Sequence, residues 1–112
     1  MPKDESFKDY VVTEVLGGID GIIARSMFGG YGIYRHGIFF ALIADGVLYF
    51  KVDDTNQIDF EKLGSKPFVY NSAKGKKMVM KYYELPEEIM ENPEQIREWV
   101  EKSYQIAKSA IR

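Results

Sequence analysis

The residues with the clearest potential for chemistry are the glycines of residues 27–34 (MFGGYGIY). Consecutive glycines let backbone amides approach an anion closely, so the run could hold a phosphate. The spacing does not fit, because a P-loop needs GK[ST] after four residues and then a helix, and Arg35 stands where a dinucleotide motif needs its third glycine. We interpret Gly29 and Gly30 as a tight turn or bulge, and Gly32 as a strand position that permits close approach.

A hydrolytic site is a second possibility, in which His36 is the general base, Ser26 or a tyrosine the nucleophile and Asp45 the orienting carboxylate. The flanking residues Arg35 and Gly37 instead mark His36 as an exposed turn residue, which no surrounding side chains would hold in place. We interpret it as a solvated histidine.

Paired carboxylates offer a third chemistry, since two acids could form an acid–base pair or bind calcium. Asp53–Asp54 and Glu87–Glu88 both lack the ligand spacing of an EF-hand and stand at predicted helix starts, where acids complement the helix dipole. The chain has no cysteine and one histidine, which excludes cysteine nucleophiles, iron–sulfur clusters and multi-histidine metal centres. The sequence therefore predicts a protein that is not an enzyme and has no metal site and no cofactor.

Length and composition predict one folded domain over residues 1–112, with 46% apolar and 14% aromatic residues to form its core. The longest uncharged apolar stretch, residues 37–44, is far shorter than the roughly 20 residues that cross a bilayer. The first residues (MPKDESF) lack an apolar signal core. We therefore expect a cytoplasmic protein with no membrane contact.

Charge is segregated along the second half of the chain. Residues 62–81 contain six lysines and no acid, whereas residues 84–101 contain seven glutamates and Arg97 as the one base. Lysines and aromatic residues interleave here, as in surfaces that bind single-stranded nucleic acid. The net charge of −2 favours instead a solvated hairpin or a protein contact. The candidate basic patch consists of Lys66, Lys74, Lys76, Lys77 and Lys81.

Hydrophobic periodicity predicts the elements of the first half. Residues 6–16 have apolar side chains at helical spacing and precede two glycines, which predicts a first helix. Four runs rich in β-branched and aromatic residues then predict three or four antiparallel strands. These runs are residues 22–28, 31–35, 38–44 and 47–53. His36–Gly37 and Asp45–Gly46 predict hairpin turns between them.

The second half is predicted to contain a short helix, a hairpin and a long helix. Asp53–Asp54–Thr55 supplies caps for a helix with apolar residues Ile58, Phe60 and Leu63. Residues 67–71 and 76–85 predict two strands, and the alternation in the second does not show which side is buried. Asn92 and Pro93 predict the start of the long helix. Its apolar stripe is formed by Ile96, Trp99, Val100, Ser103, Ala107 and Ala110.

These elements predict a two-layer α+β fold. Its sheet is antiparallel or mixed, with five or six strands, helices on one face and a long C-terminal helix.

Residues 25–107 resemble the N-terminal domain of the TfoX (Sxy) family of competence regulators. The resemblance lies in the MFGGYGIY run, Gly37 with residues 40–43 (FALI), residues 48–53 (LYFKVD), Pro67–Phe68 with Tyr70, and residues 82–86 (YYELP). It implies the same two-layer α+β fold. Full-length members of the family are bacterial regulators that co-activate competence genes alongside a cyclic-AMP receptor protein and carry a second, C-terminal domain. Because residues 25–107 account for most of the 112 residues, we expect this chain to be a stand-alone N-terminal domain without that second domain.

The function that the resemblance implies is a non-enzymatic regulatory module that acts through a protein partner, with a transcription regulator as one candidate. Two alternatives stay open: direct nucleic-acid binding through residues 62–81, and a small-ligand or enzymatic pocket beside Gly29, Gly30 and Lys51. A homodimer is also open. The candidate interaction residues are Met27, Phe28, Gly29, Gly30, Tyr31, Gly32, Tyr34 and Lys51. If this run makes contacts, we expect Tyr31 or Tyr34 to face solvent.

Overall fold

A computed structural model describes residues 5–27 and 29–111. In these residues six strands form one antiparallel sheet in the order β1-β2-β3-β4-β6-β5. The strands are β1 (Ile22–Met27), β2 (Gly30–Arg35), β3 (Ile38–Ala44), β4 (Val47–Lys51), β5 (Pro67–Asn71) and β6 (Lys77–Glu84). The helices are α1 (Glu5–Tyr10), continued by a π-helical turn over Val11–Val15, α2 (Gln57–Lys62), α3 (Glu87–Met90) and α4 (Pro93–Ser109). The predicted α+β fold is confirmed, and no helix of the described ranges is long and apolar enough to cross a membrane.

Two-residue turns join β2 to β3 and β3 to β4, so the first strands form a meander. His36 and Gly37 have φ of 49° and 81°, and Asp45 and Gly46 have φ of 52° and 75°. Positive φ at both central positions is the geometry of the type I′ turn, whose twist matches that of paired strands. Both predicted hairpins are therefore confirmed.

The helices cover one face of the sheet, and the core lies between the two layers. α4 packs across β3 and β4, and α2 contacts β6. Phe40, Phe50 and Phe60 are the largest fully buried side chains, and the Phe60 ring centroid lies 4.6 Å from that of Trp99 on α4. These contacts join α2, α4 and the sheet into one core.

A β-bulge in β3 separates two adjacent phenylalanines. Ile33 pairs with Ala41 and Tyr34 pairs with Phe39, so Phe40 has no partner on β2. The extra residue places Phe40 in the core, whereas Phe39 lies on the opposite face with its ring centroid 5.4 Å from that of Tyr34. We call the face opposite the helices the outer face.

The start of α4 agrees with the predicted cap. The Asn92 side-chain oxygen accepts hydrogen bonds from the N–H groups of Glu94 (3.1 Å) and Gln95 (3.0 Å), and Pro93 is the first helical residue. The buried stripe of α4 consists of Ile96, Val100, Ser103 and Ala107. Ala110, which the sequence pattern placed in this stripe, is exposed beyond the helix.

The predicted cap of α2 is wrong in detail, because α2 begins after Asn56. The Asp53 carboxylate accepts hydrogen bonds from the N–H (2.8 Å) and hydroxyl (2.6 Å) of Thr55, and these bonds lower its pKa. The acid therefore stabilises the turn before the helix. Of the apolar residues predicted for α2, Phe60 enters the core, and those that remain exposed are Ile58 and Leu63.

Candidate interaction surfaces

The glycine run forms a turn and the start of β2, as interpreted from its spacing. Gly29 lies in the turn with φ of 75°. A side chain at Gly30 would collide with the carbonyl oxygen of Ile43 on β3. Only glycine lets the two strands approach here. Phe28 lies outside the described residues.

The next glycine, Gly32, lies beneath two side chains of the outer face. A Cβ atom placed on Gly32 would lie 2.9 Å from the Met27 sulfur and 3.0 Å from Cε1 of Phe39. Glycine at this position therefore lets Met27 and Phe39 cover β2 closely. Met27 itself is half-buried.

The two tyrosines of the run have different environments. Tyr31 is 6% exposed and belongs to the core, with Lys8 of α1 5.5 Å from its ring centroid. Tyr31 is therefore not a solvent-facing contact residue, because β2 directs it to the helix-covered side. Tyr34 has the other orientation and is half-buried on the outer face.

Three aromatic rings and two cations cross the outer face from β1 to β6. The Phe39 ring centroid lies 5.4 Å from that of Tyr34 and 5.7 Å from that of Tyr82. Arg25 stacks over Tyr34 at 5.6 Å, and the Lys51 amine lies over Tyr82 at 5.1 Å. We call these five residues the aromatic platform. Its sequence-predicted members are Tyr34 and Lys51, and those missed are Arg25, Phe39 and Tyr82. Cross-strand alternation could have placed Arg25 on the same face as Tyr34.

The backbone of Lys51 is fixed by buried polar side chains from the helical layer. Its carbonyl oxygen accepts hydrogen bonds from the Ser103 hydroxyl (2.8 Å) and from the Asn56 amide (3.3 Å). Ser103 is 0% and Asn56 3% exposed, so these bonds satisfy groups that water does not reach. The end of β4 is thereby held to α4, which sets where the Lys51 side chain leaves the sheet.

Tyr82 is the most buried ring of the platform, at 8% exposure. Burial, with a smaller contribution from the neighbouring Tyr34, raises the pKa of Tyr82 to about 12. The phenol is therefore neutral throughout the physiological range. It contributes an apolar ring to the platform and no negative charge.

A groove of about 290 Å³ lies beside Gly29 and Gly30. Leu42, Asp45 and residues 68–71 of β5 also line it, so the sheet must curl to bring its last strand towards the β1–β2 turn. Lys51 is not one of the lining residues and lies against Tyr82 instead. The structure therefore does not bring together the three residues of the predicted ligand pocket.

The candidate basic patch is only partly assembled. Lys74, Lys76 and Lys77 are all exposed at the tip of the β5–β6 hairpin, in a turn closed by a 2.8 Å hydrogen bond from the Ser72 N–H to the Lys76 carbonyl. Lys66 is exposed at the opposite end of β5, and Lys81 lies near Gln57 of α2, 3.5 Å from its side-chain oxygen. Three of the five predicted lysines thus form one cluster.

An acidic concavity of about 410 Å³ lies at the opposite end of the hairpin. Gly64 and Ser65 line it together with the glutamates Glu84, Glu87, Glu88 and Glu91. Within the described parts of the chain, no group of three or more histidine, cysteine or acidic residues is arranged to hold a metal ion. The charge segregation of the sequence therefore becomes two separate surfaces of opposite sign.

Comparison with known proteins gives the family. The family model of the TfoX N-terminal domain matches residues 14–107, which include every strand of the sheet and most of α4. No curated protein is similar enough to the chain to count as a match. The chain belongs to the TfoX N-terminal domain family.

Proposed function

We propose that the chain is a non-enzymatic regulatory module that binds a protein partner through the aromatic platform. One observation carries the proposal: the half-buried rings of Tyr34 and Phe39 and the buried ring of Tyr82 lie between two cations on the outer face, while the helices of the described residues pack on the other face. The TfoX N-terminal domain family supports a regulatory role. Its specific form, co-activation of DNA-uptake genes together with a transcription regulator, is part of the proposal.

The physical chemistry of the platform favours a protein partner. Aromatic residues and arginine are enriched at the buried centres of protein interfaces, where they contribute large contact areas. Arg25 is exposed and Lys51 half-buried, so both cations can still pair with carboxylates of a partner. We therefore expect the partner segment to present an apolar side chain flanked by acidic residues.

Affinity capture from a nuclease-treated lysate of the source cells tests this proposal. The bait is compared with the double variant Arg25→Glu, Lys51→Glu, and the control is Lys102→Glu, Lys108→Glu on exposed positions of α4. We expect one protein at near-stoichiometric level with the wild type and the control, and at least a tenfold loss with the platform variant. Equal recovery by all three baits, or no stoichiometric protein, would contradict the proposal.

The hairpin tip supports a second candidate function, direct nucleic-acid binding, because Lys74, Lys76 and Lys77 are exposed together beside Tyr70. Binding of a single-stranded oligonucleotide should then weaken steeply with salt. Replacing the three lysines by alanine should reduce the slope of log K against log salt by about 2–3. A salt-independent affinity, or an unchanged slope in the variant, excludes this function.

A further inference from the structure

The far half of the β5–β6 hairpin is a two-stranded ribbon. β4 pairs with β6 through residues 82–84, whereas in the described residues 77–79 pair with residues 69–71 of β5 alone. A shift of register between Pro67 and Val69 separates this part of the hairpin from the part beside β4. Such a shift bends the strands and increases their twist. We call residues 69–71 and 77–79 the ribbon.

The two faces of the ribbon carry different side chains. Its cross-strand pairs are Val69 with Val79, Tyr70 with Met78, and Asn71 with Lys77. Successive residues of a strand point to opposite faces, so the central pair lies on the face opposite the other two pairs. One face therefore carries both valines with the asparagine and the lysine, and all four residues are exposed. We call it the valine–lysine face.

The valine–lysine face has side chains that can recognise base pairs in duplex DNA. An asparagine amide can form two hydrogen bonds to adenine, a lysine amine can bond to guanine, and an apolar side chain can contact the thymine methyl group. Single strands are bound instead by aromatic rings on which bases stack, and the ring of the ribbon, that of Tyr70, lies on the other face. The valine–lysine face therefore fits a duplex better than a single strand.

The ribbon also matches the major groove of DNA in size and charge. Two paired strands lie about 4.8 Å apart, and the major groove, about 12 Å wide, admits a two-stranded ribbon. Lys74 and Lys76 are exposed in the turn beyond the ribbon, where they can reach phosphates at the border of the groove. Residues 62–81 contain six lysines and no acid, and the acid that lines the protein's own groove with Asn71 is Asp45. Positive charge therefore prevails on this hairpin.

We propose that the valine–lysine face binds in the major groove of double-stranded DNA, an inference that rests on the second candidate function. Asn71 and Lys77 bond to base edges, and Val79 contacts thymine methyl groups. Lys74 and Lys76 bind phosphates and fix the ribbon on the duplex. Because few phosphates are neutralised, the affinity depends on the fit of this face as well as on charge.

Fluorescence anisotropy at low salt tests the proposal with three probes of the same mixed sequence: a short DNA duplex, an RNA duplex and a single DNA strand. We expect the DNA duplex to bind at least tenfold more tightly than the RNA duplex, because side chains cannot read the deep, narrow major groove of A-form RNA. Equal affinity for the two duplexes would indicate phosphate contacts alone and would overturn the proposal. Tighter binding of the single strand would also overturn it, but would leave the second candidate function intact. Binding of no probe would contradict both.

Two charge variants at neighbouring positions test which face of the ribbon enters the groove. Val79→Glu places a carboxylate on the valine–lysine face, where Val79 is 67% exposed, so the affinity for the DNA duplex should fall at least tenfold. Met78→Glu adds the same charge on the opposite face, at a residue that is 50% exposed, and should lower the affinity less than threefold. Circular dichroism establishes that both variants are folded. Equal losses, or a larger loss from Met78→Glu, would contradict the assignment of the valine–lysine face.

Discussion

The two faces of the sheet use similar residues for different purposes. Phe39 and Phe40 are adjacent in the chain, yet Phe40 is 0% exposed under the helices and Phe39 is half-buried on the outer face. The helix-covered face is filled with apolar side chains that contact one another, whereas the row of three rings on the outer face has a cation at each end. In the proposed function, the first face provides stability and the second face provides contacts with a partner.

The largest expected effect separates the two phenylalanines. Phe40→Ala should lower the free energy of unfolding by about 3–5 kcal/mol, because it leaves a cavity in a packed core. Phe39→Ala should cost about 1–2 kcal/mol, since its ring already contacts water. Urea denaturation of both variants measures the difference, and equal losses would show that the outer face is core as well.

The glycines of the turn provide the next contrast. Gly30→Ala should cost about 2–3 kcal/mol, because the new methyl group collides with the Ile43 carbonyl and the strands must separate. Gly29→Ala should cost about 1 kcal/mol, the strain of positive φ, since open space surrounds its Cβ position. Thermal unfolding compares the two, and a larger loss at Gly29 would contradict the close approach of β2 and β3.

A smaller effect is expected from the buried polar contact behind the platform. Ser103→Ala removes one hydrogen bond to the Lys51 carbonyl, while the bond from Asn56 remains, so the loss should be about 1 kcal/mol. Partner binding should weaken together with stability if the contact positions Lys51. Scanning calorimetry of the variant measures its stability, and titration calorimetry with the purified partner measures the affinity. An unchanged affinity would show that this hydrogen bond stabilises the core and does not position Lys51 for binding.

The last effect appears only at high pH and is absent under physiological conditions. The raised pKa of Tyr82, about 12, means that the folded state holds the phenolic proton more tightly than the unfolded state, whose pKa is about 10. The stabilisation is complete below pH 10 and is lost as the pH rises from 10 to 12. Tyr82→Phe should therefore lose less stability than the wild type between pH 10 and 12. Urea denaturation at each pH measures the free energy of unfolding of both proteins. If that free energy fell equally with pH in the two proteins, the result would contradict the burial of this phenol.

The elements of the fold could be predicted because each has a local cause. The type I′ turns depend on His36–Gly37 and Asp45–Gly46, and the start of α4 depends on Asn92. The buried side of β6 could not be predicted, because Tyr82 and Tyr83 are both 8% exposed on opposite faces. Periodicity distinguishes the two faces of a strand only where one of them meets water.

The assembly of the candidate site depends on the order of the strands in the sheet, and local sequence patterns do not predict that order. The glycines of β2 and Lys51 of β4 are separated by β3, so the expected pocket between them does not form. The bulge at Phe40 shifts the alternation of β3 and places Phe39 on the outer face. No feature of the sequence marks that bulge in advance.

Site-specific photo-crosslinking tests most directly whether the outer face is the contact surface. A photoreactive phenylalanine analogue replaces Tyr34 on the platform or Ile58, which is 50% exposed on α2. After irradiation in the source cells, we expect a discrete covalent adduct with one protein from position 34 and none from position 58. Adducts from position 58 alone, or equally from both positions, would contradict the assignment of contact to the outer face.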